Sequence, residues 1–197
     1  MIGAALAAAS LALAPVGELA FPRAWNGASL NGLSGLTHVA DDAYYAVRDS
    51  GGALFALTIG VDRATGMPTN CVVTGQTALA GRGDLECVAW DRARRWVWIG
   101  DEDDGSIRAF DPATGAERAR AAVPAVFDAF RYNRSFEALT LRPDGLEMWA
   151  CNEEALCRRE AEGRTVKKAA PVRATTPDVD DGPRATRAHG TRVRLQR

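Results

Sequence analysis

The chain has two histidines in 197 residues, His38 and His189, and that scarcity narrows its chemistry. A Ser-His-Asp triad would have to use His38, because His189 lies in a stretch without apolar patterning, and the alternation of His38 with Leu36 marks a strand position. Gly32-Leu33-Ser34-Gly35 opens a strand and is not the G-x-S-x-G elbow of serine hydrolases. The four cysteines, Cys71, Cys87, Cys151 and Cys157, include no C-x-x-C pair and no nearby histidine pair, which argues against zinc. In an oxidising compartment Cys151 and Cys157 can close a small loop. Burial as small hydrophobes suits Cys87 and Cys151 equally well. Phosphate-binding loops and dinucleotide fingerprints are missing. The basic C-terminal tail has no interleaved aromatics, so nucleic-acid binding is not expected.

No uncharged apolar run is long enough for a stable membrane span. The longest, residues 2–16, has the length of a secretory apolar core, with Ala12-Leu13-Ala14 and Glu18-Leu19-Ala20 as cleavage candidates, although no positive charge precedes it. Residues 1–20 are therefore expected to be a signal peptide and the protein to be periplasmic or secreted. Charge divides the remainder. Residues 1–157 carry 13 Lys+Arg against 20 Asp+Glu, a net −7, whereas residues 158–197 carry 11 against 5, a net +6. Residues 158–188 contain no Phe, Trp or Tyr and are expected to form a disordered charged insertion. Residues 189–197 alternate like a strand and are expected to complete the last unit of the array.

Between these ends the sequence repeats. Leu33-Ser34-Gly35-Leu36, Leu85-Glu86-Cys87-Val88 and Phe136-Glu137-Ala138-Leu139 align, so that the second residue steps from 34 to 86 to 137. Each motif precedes a strand-like run: Tyr44-Tyr45-Ala46-Val47, Trp96-Val97-Trp98-Ile99 and Glu147-Met148-Trp149-Ala150. Asp49, Asp101 and Asn152 close these runs at matching steps. Turns at Asp41-Asp42, Ser50-Gly51-Gly52, Asp103-Asp104-Gly105 and Pro143-Asp144-Gly145 separate short strands. A period of roughly 50 residues with several short strands per unit predicts β-propeller blades. The expected fold is all-β and propeller-like: about three blades of antiparallel meander over residues 21–157. Closed propellers have ~4–8 blades, so the array is incomplete, and its open blade faces invite self-association.

The repeats carry acidic residues to equivalent places. Glu86 and Glu137 start the innermost strands of the second and third units, and Asp101 and Glu102 end a second strand. Equivalent positions in blades turn about one axis, so these carboxylates are expected to converge. Hard oxygen donors of this kind suit Ca²⁺ or Mg²⁺, which can polarise a phosphoryl group and activate water. The competing reading is that Asp-Asp-Gly is a good turn and the acids are ordinary surface groups. Arg134 precedes Glu137 and is either a bidentate partner for phosphate or carboxylate, or the ion-pair partner of Glu137 itself.

Taken in order, Leu33-Ser34-Gly35-Leu36, Tyr44-Tyr45-Ala46-Val47-Arg48-Asp49, Gly83-Asp84-Leu85-Glu86, Gly100-Asp101-Glu102, Asn133-Arg134-Ser135-Phe136-Glu137-Ala138-Leu139 and Pro143-Asp144-Gly145 resemble the phytase-like domain of the "esterase-like activity of phytase" proteins. The resemblance covers about residues 30–157 and the closing run Gly190–Arg197, with Cys87 where a small residue such as Gly is usual. It implies an exported propeller-like protein acting on a small-molecule ester or phosphoester. It also implies that Glu86, Asp101, Glu102, Arg134 and Glu137 lie on the family's recurring motifs; Glu86, Glu137 and Arg134 are the candidate catalytic residues, and Glu86, Asp101, Glu102 and Glu137 the candidate ligands of a metal, with Ca²⁺ as the candidate cofactor. The alternatives are a non-catalytic exported binding module, in which the same carboxylates hold a structural ion, and an inactive truncated fragment.

Overall fold

The computed structural model describes residues 15, 17–81, 83–125, 127 and 135–153, and the backbone of strands at 156–159, 165–168, 172–175 and 193–194. A short hairpin, β1 (Ala24–Trp25) and β2 (Ala28–Ser29), precedes the repeats. The first sheet is the meander β3 (Leu33–Ala40), β4 (Ala43–Arg48), β5 (Ala53–Val61) and β6 (Pro68–Ala78). The second is β7 (Leu85–Asp91), β8 (Trp96–Asp101), β9 (Ser106–Phe110) and β10 (Glu117–Arg120). The third begins with β11 (Phe136–Leu141) and β12 (Glu147–Asn152). All neighbouring pairs in these sheets run antiparallel. Strand β7 lies against both β3 and β11, which makes these three the inner strands of consecutive blades. The fold is all-β and propeller-like, with three blades in an unclosed array.

Within residues 158–188, expected to lack regular structure, the backbone forms more strands. β13 (Leu156–Arg159) pairs with β14 (Thr165–Lys168), and β15 (Val172–Thr175) joins β12 as a third strand of the third blade. The terminal run contributes β16 (Val193–Arg194), which also pairs with β12. Of the expected signal peptide, residues 1–20, residues 1–14 and 16 lie outside the described residues. Among the described residues no helix is long and apolar enough to cross a membrane.

Strand alternation explains how the blades hold together, because successive side chains leave opposite faces of a sheet. On β8, Val97 and Ile99 face the first blade and join Val47, Leu54, Leu85, Val88 and Phe110 in one buried cluster. Trp96 and Trp98 face the other way, where Trp98 packs with Cys87, Ile107, Phe136, Met148 and Ala150 of the second and third blades. A third cluster, including Phe55, Leu57 and Val73, lies beneath Leu30 and Trp25 on the outer side of the first blade. Hydrogen bonds repeat across the joints. Ser34 Oγ donates to the Leu85 carbonyl at 2.5 Å, the Trp90 amide donates to Thr37 Oγ1 at 3.0 Å, and Arg94 Nη1 donates to the Gly145 carbonyl at 3.0 Å.

The strand register corrects one alignment. Gly35, Cys87 and Ala138 pair with Val47, Gly100 and Cys151, so second-strand equivalents step from 47 to 100 to 151 rather than in parallel with the inner strands. The span from Gly35 to its partner Val47 is one residue shorter than that from Cys87 to Gly100, which makes Arg48, not Asp49, the equivalent of Asp101 and Asn152. The residue after this position is acidic in every blade: Asp49, Glu102 and Glu153.

Candidate functional site

Each inner strand opens with the same irregularity. Its register shifts between Leu33 and Gly35, between Leu85 and Cys87, and between Phe136 and Ala138. Ser34, Glu86 and Glu137 are thus the extra residues of three equivalent β-bulges, a device that re-aims a side chain out of the ladder. A backbone bond fixes the opposite side of each bulge. The amides of Asp49, Glu102 and Glu153 donate to the carbonyls of Gly32, Asp84 and Ser135 at 2.9, 2.7 and 3.1 Å. One acidic side chain per blade is therefore anchored next to one bulge residue.

In the second and third blades this geometry gathers five carboxylates. Asp84, Glu86 and Glu102 bring their oxygens within 4.8 Å of one another, and so do Glu102, Glu137 and Glu153. Glu102 belongs to both groups. It is buried, accepts the Ser135 amide at 3.0 Å, and so ties the end of one blade to the start of the next. Asp84 Oδ1 is buried without a hydrogen-bond partner. Burial, a hydrogen bond to the Asp84 carboxyl, and the charges of Asp84, Glu137 and Glu102 push Glu86 up to about 7, because neighbouring negative charge and lost hydration both disfavour its ionised form.

Three of the predicted site residues, Glu86, Glu102 and Glu137, come together here. Asp101 stands apart. One of its oxygens accepts the Asp103 amide at 3.1 Å and the other is ion-paired with Arg108, itself buried. Burial raises the Asp101 carboxyl above its usual range although Arg108 lowers it. Gly83 makes this arrangement possible, since any Cβ at that position would overlap the Asp101 carboxylate. Arg134 lies outside the described residues. His38 Nε2 donates to the Asp41 carbonyl, 2.9 Å away, and the ring packs edge-on to Tyr44, while Ser34 Oγ is engaged by the Leu85 carbonyl. Burial drives the Cys87 thiol up to about 12, which makes it an inert core group. Cys151 is an exposed free thiol.

Asp84 and Glu153 were not singled out as site residues from sequence. Asp84 sits two residues before Glu86 across a bulge, and Glu153 follows Glu102 at the same step as Glu137 follows Glu86.

The raised Glu86 has a measurable consequence. Between the ordinary value of 4.5 and about 7, the folded protein retains a proton that the unfolded chain has released, so stability falls as pH rises through this window. In EDTA, the melting temperature of the wild type is expected to drop relative to that of Glu86→Gln as pH goes from about 4.5 to about 7. Parallel pH profiles for the two proteins would contradict the assignment.

No curated protein matches the chain significantly. Among solved structures, Kuenenia stuttgartiensis hydrazine synthase aligns with a TM-score of 0.42 at 16% identity, over 75% of this chain and 36% of that one. The model of a family described as "Phytase-like: Esterase-like activity of phytase" matches residues 28–194, a span that takes in all three bulges and all five carboxylates. The chain belongs to the phytase-like family.

Proposed function

We propose that the protein is an exported hydrolase of phosphate or carboxylic esters whose site is the cluster of Asp84, Glu86, Glu102, Glu137 and Glu153, working with a divalent cation, Ca²⁺ by preference. The observation that carries this reading is the convergence of carboxylates from two blades on the shared Glu102. The donors are hard oxygens only, the class Ca²⁺ selects with its 6–8 ligands. Among the described residues the buried Asp84 Oδ1 has no hydrogen-bond donor assigned to it, so a cation would offset its desolvation. When bound, the cation neutralises and polarises the reacting phosphoryl or carbonyl group.

The side chains divide the remaining work. Glu86, raised to about 7 in the cation-free cluster and lowered by a cation held beside it, is the base that takes a proton from the attacking water. Glu137, on the equivalent bulge of the next blade, orients that water. Arg134 clamps the anionic end of the substrate. Export rests on the apolar run at residues 2–16.

Turnover of p-nitrophenyl phosphate and p-nitrophenyl acetate, with Ca²⁺ and with EDTA, tests this. The expected result is Ca²⁺-dependent release of nitrophenol from at least one substrate, lost in Glu86→Gln. Failure to turn over either substrate by folded, Ca²⁺-loaded protein would overturn it in favour of a binding module.

A further inference from the structure

We propose that Ser34, an uncharged residue of the first blade, is a positioning residue for the carboxylate site. Its hydroxyl holds the carbonyl that precedes Glu86 and thereby sets where the Glu86 carboxylate stands, a role that rests on the cation site proposed above. Ser34 is the first-blade equivalent of Glu86 and Glu137, the extra residue of the same bulge. Its Oγ reaches across the joint between blades and donates to the Leu85 carbonyl at 2.5 Å. The Leu85 side chain is fixed in the core between the first two blades, whereas Glu86 is the residue that the ladder skips. A bulge residue has no ladder partner of its own, so the Leu85–Glu86 peptide is the part of β7 with most freedom to tilt. The Ser34 hydroxyl holds that peptide by its oxygen.

The next joint repeats the device with different chemistry. Cys87 Sγ donates to the Phe136 carbonyl at 3.6 Å, and Phe136 precedes Glu137 as Leu85 precedes Glu86. Two glycines let the strands come this close. A Cβ on Gly35 would stand 3.1 Å from Cys87 Cα and 3.0 Å from the Val88 nitrogen, and a Cβ on Gly100 would overlap Cys87 Sγ. Each bulge glutamate is therefore aimed by a side chain of the blade before it. A thiol is a weak donor and a hydroxyl an ordinary one, so the Ser34 bond is the firmer of the two.

Calorimetric titration of the full chain with CaCl₂, set beside thermal melts in EDTA, tests this, with Thr37→Val as the comparison. Thr37 Oγ1 accepts the Trp90 amide across the same joint, three residues along β3 from Ser34 and away from the bulge. Loss of a side chain that orients a metal ligand typically weakens the metal ~10–100-fold. Ser34→Ala is expected to bind Ca²⁺ at least about tenfold more weakly than the wild type, while its melting temperature in EDTA falls no further than that of Thr37→Val. Ser34→Thr, which keeps the hydroxyl, should bind as the wild type does, and so should Thr37→Val. Wild-type affinity in Ser34→Ala, an equal loss in Thr37→Val, or no recovery in Ser34→Thr would each overturn the role of Ser34 and leave the cation site standing. Absence of Ca²⁺ binding by the wild type would overturn both.

Discussion

Trp98→Ala is expected to destabilise the protein by about 3–5 kcal/mol, the usual cost of emptying a fully buried large aromatic site. Trp98 is the largest fully buried side chain and fills the joint between the second and third blades. Its indole N–H also donates to Asp91 at 3.3 Å, so truncation removes both packing and a buried hydrogen bond. Because this joint also places Glu102 beside Ser135, the damage should reach the acidic cluster. Urea unfolding followed by far-UV circular dichroism measures the effect. A loss below about 1 kcal/mol, the size of an ordinary surface change, would mean that the blades do not depend on this joint.

Arg108→Met is expected to cost a similar ~3–5 kcal/mol for a different reason: it leaves Asp101 buried without its counter-charge. The arginine reaches Asp101 from β9, where Asp101 pairs with Ser106, and its guanidinium also lies over the Phe110 ring at 5.4 Å. The double variant Asp101→Leu/Arg108→Met removes both charges, and its stability should return most of the way to wild type, since paired buried charges add little net stability once both are replaced by apolar groups. If the double variant is as unstable as Arg108→Met, the loss comes from packing around Phe110 rather than from an orphaned carboxylate.

Much of the inner face of this array is legible in the sequence. Leu33, Leu85 and Phe136 recur at nearly constant steps because inner strands of neighbouring blades meet in fixed register, so Glu86 and Glu137 can be recognised as equivalents from spacing alone. The second strands are harder. Hairpin length varies independently of strand register, and one residue fewer from Gly35 to Val47 than from Cys87 to Gly100 is enough to confuse Asp49 with the counterpart of Asp101. That single step hides the place of Asp49 in the acidic series with Glu102 and Glu153. The bulges are invisible in a linear pattern too, since alternation alone places Glu86 on the face of a regular strand, and only the break in pairing sends it into the cluster. Asp101 shows the opposite limit: its partner Arg108 lies seven residues on, on the next strand, and nothing in the local motif distinguishes a carboxylate held in an ion pair from one left to meet a cation.

In the proposed function Glu86 and Glu137, on equivalent bulges of two blades, both serve a cation through the two carboxylate groups that share Glu102. Thermal melts of the wild type, Glu86→Gln and Glu137→Gln, each with and without Ca²⁺, test it most directly. Ligand bound to the native state stabilises by ~2.7 kcal/mol at 100 times its Kd, so a saturated wild type should melt at a clearly higher temperature with Ca²⁺. Each glutamine variant, keeping the side-chain shape but losing a charged ligand, should fold and show a smaller shift. Equal shifts in all three proteins, or no shift in any, would contradict the account and leave these glutamates as supports of the bulges alone.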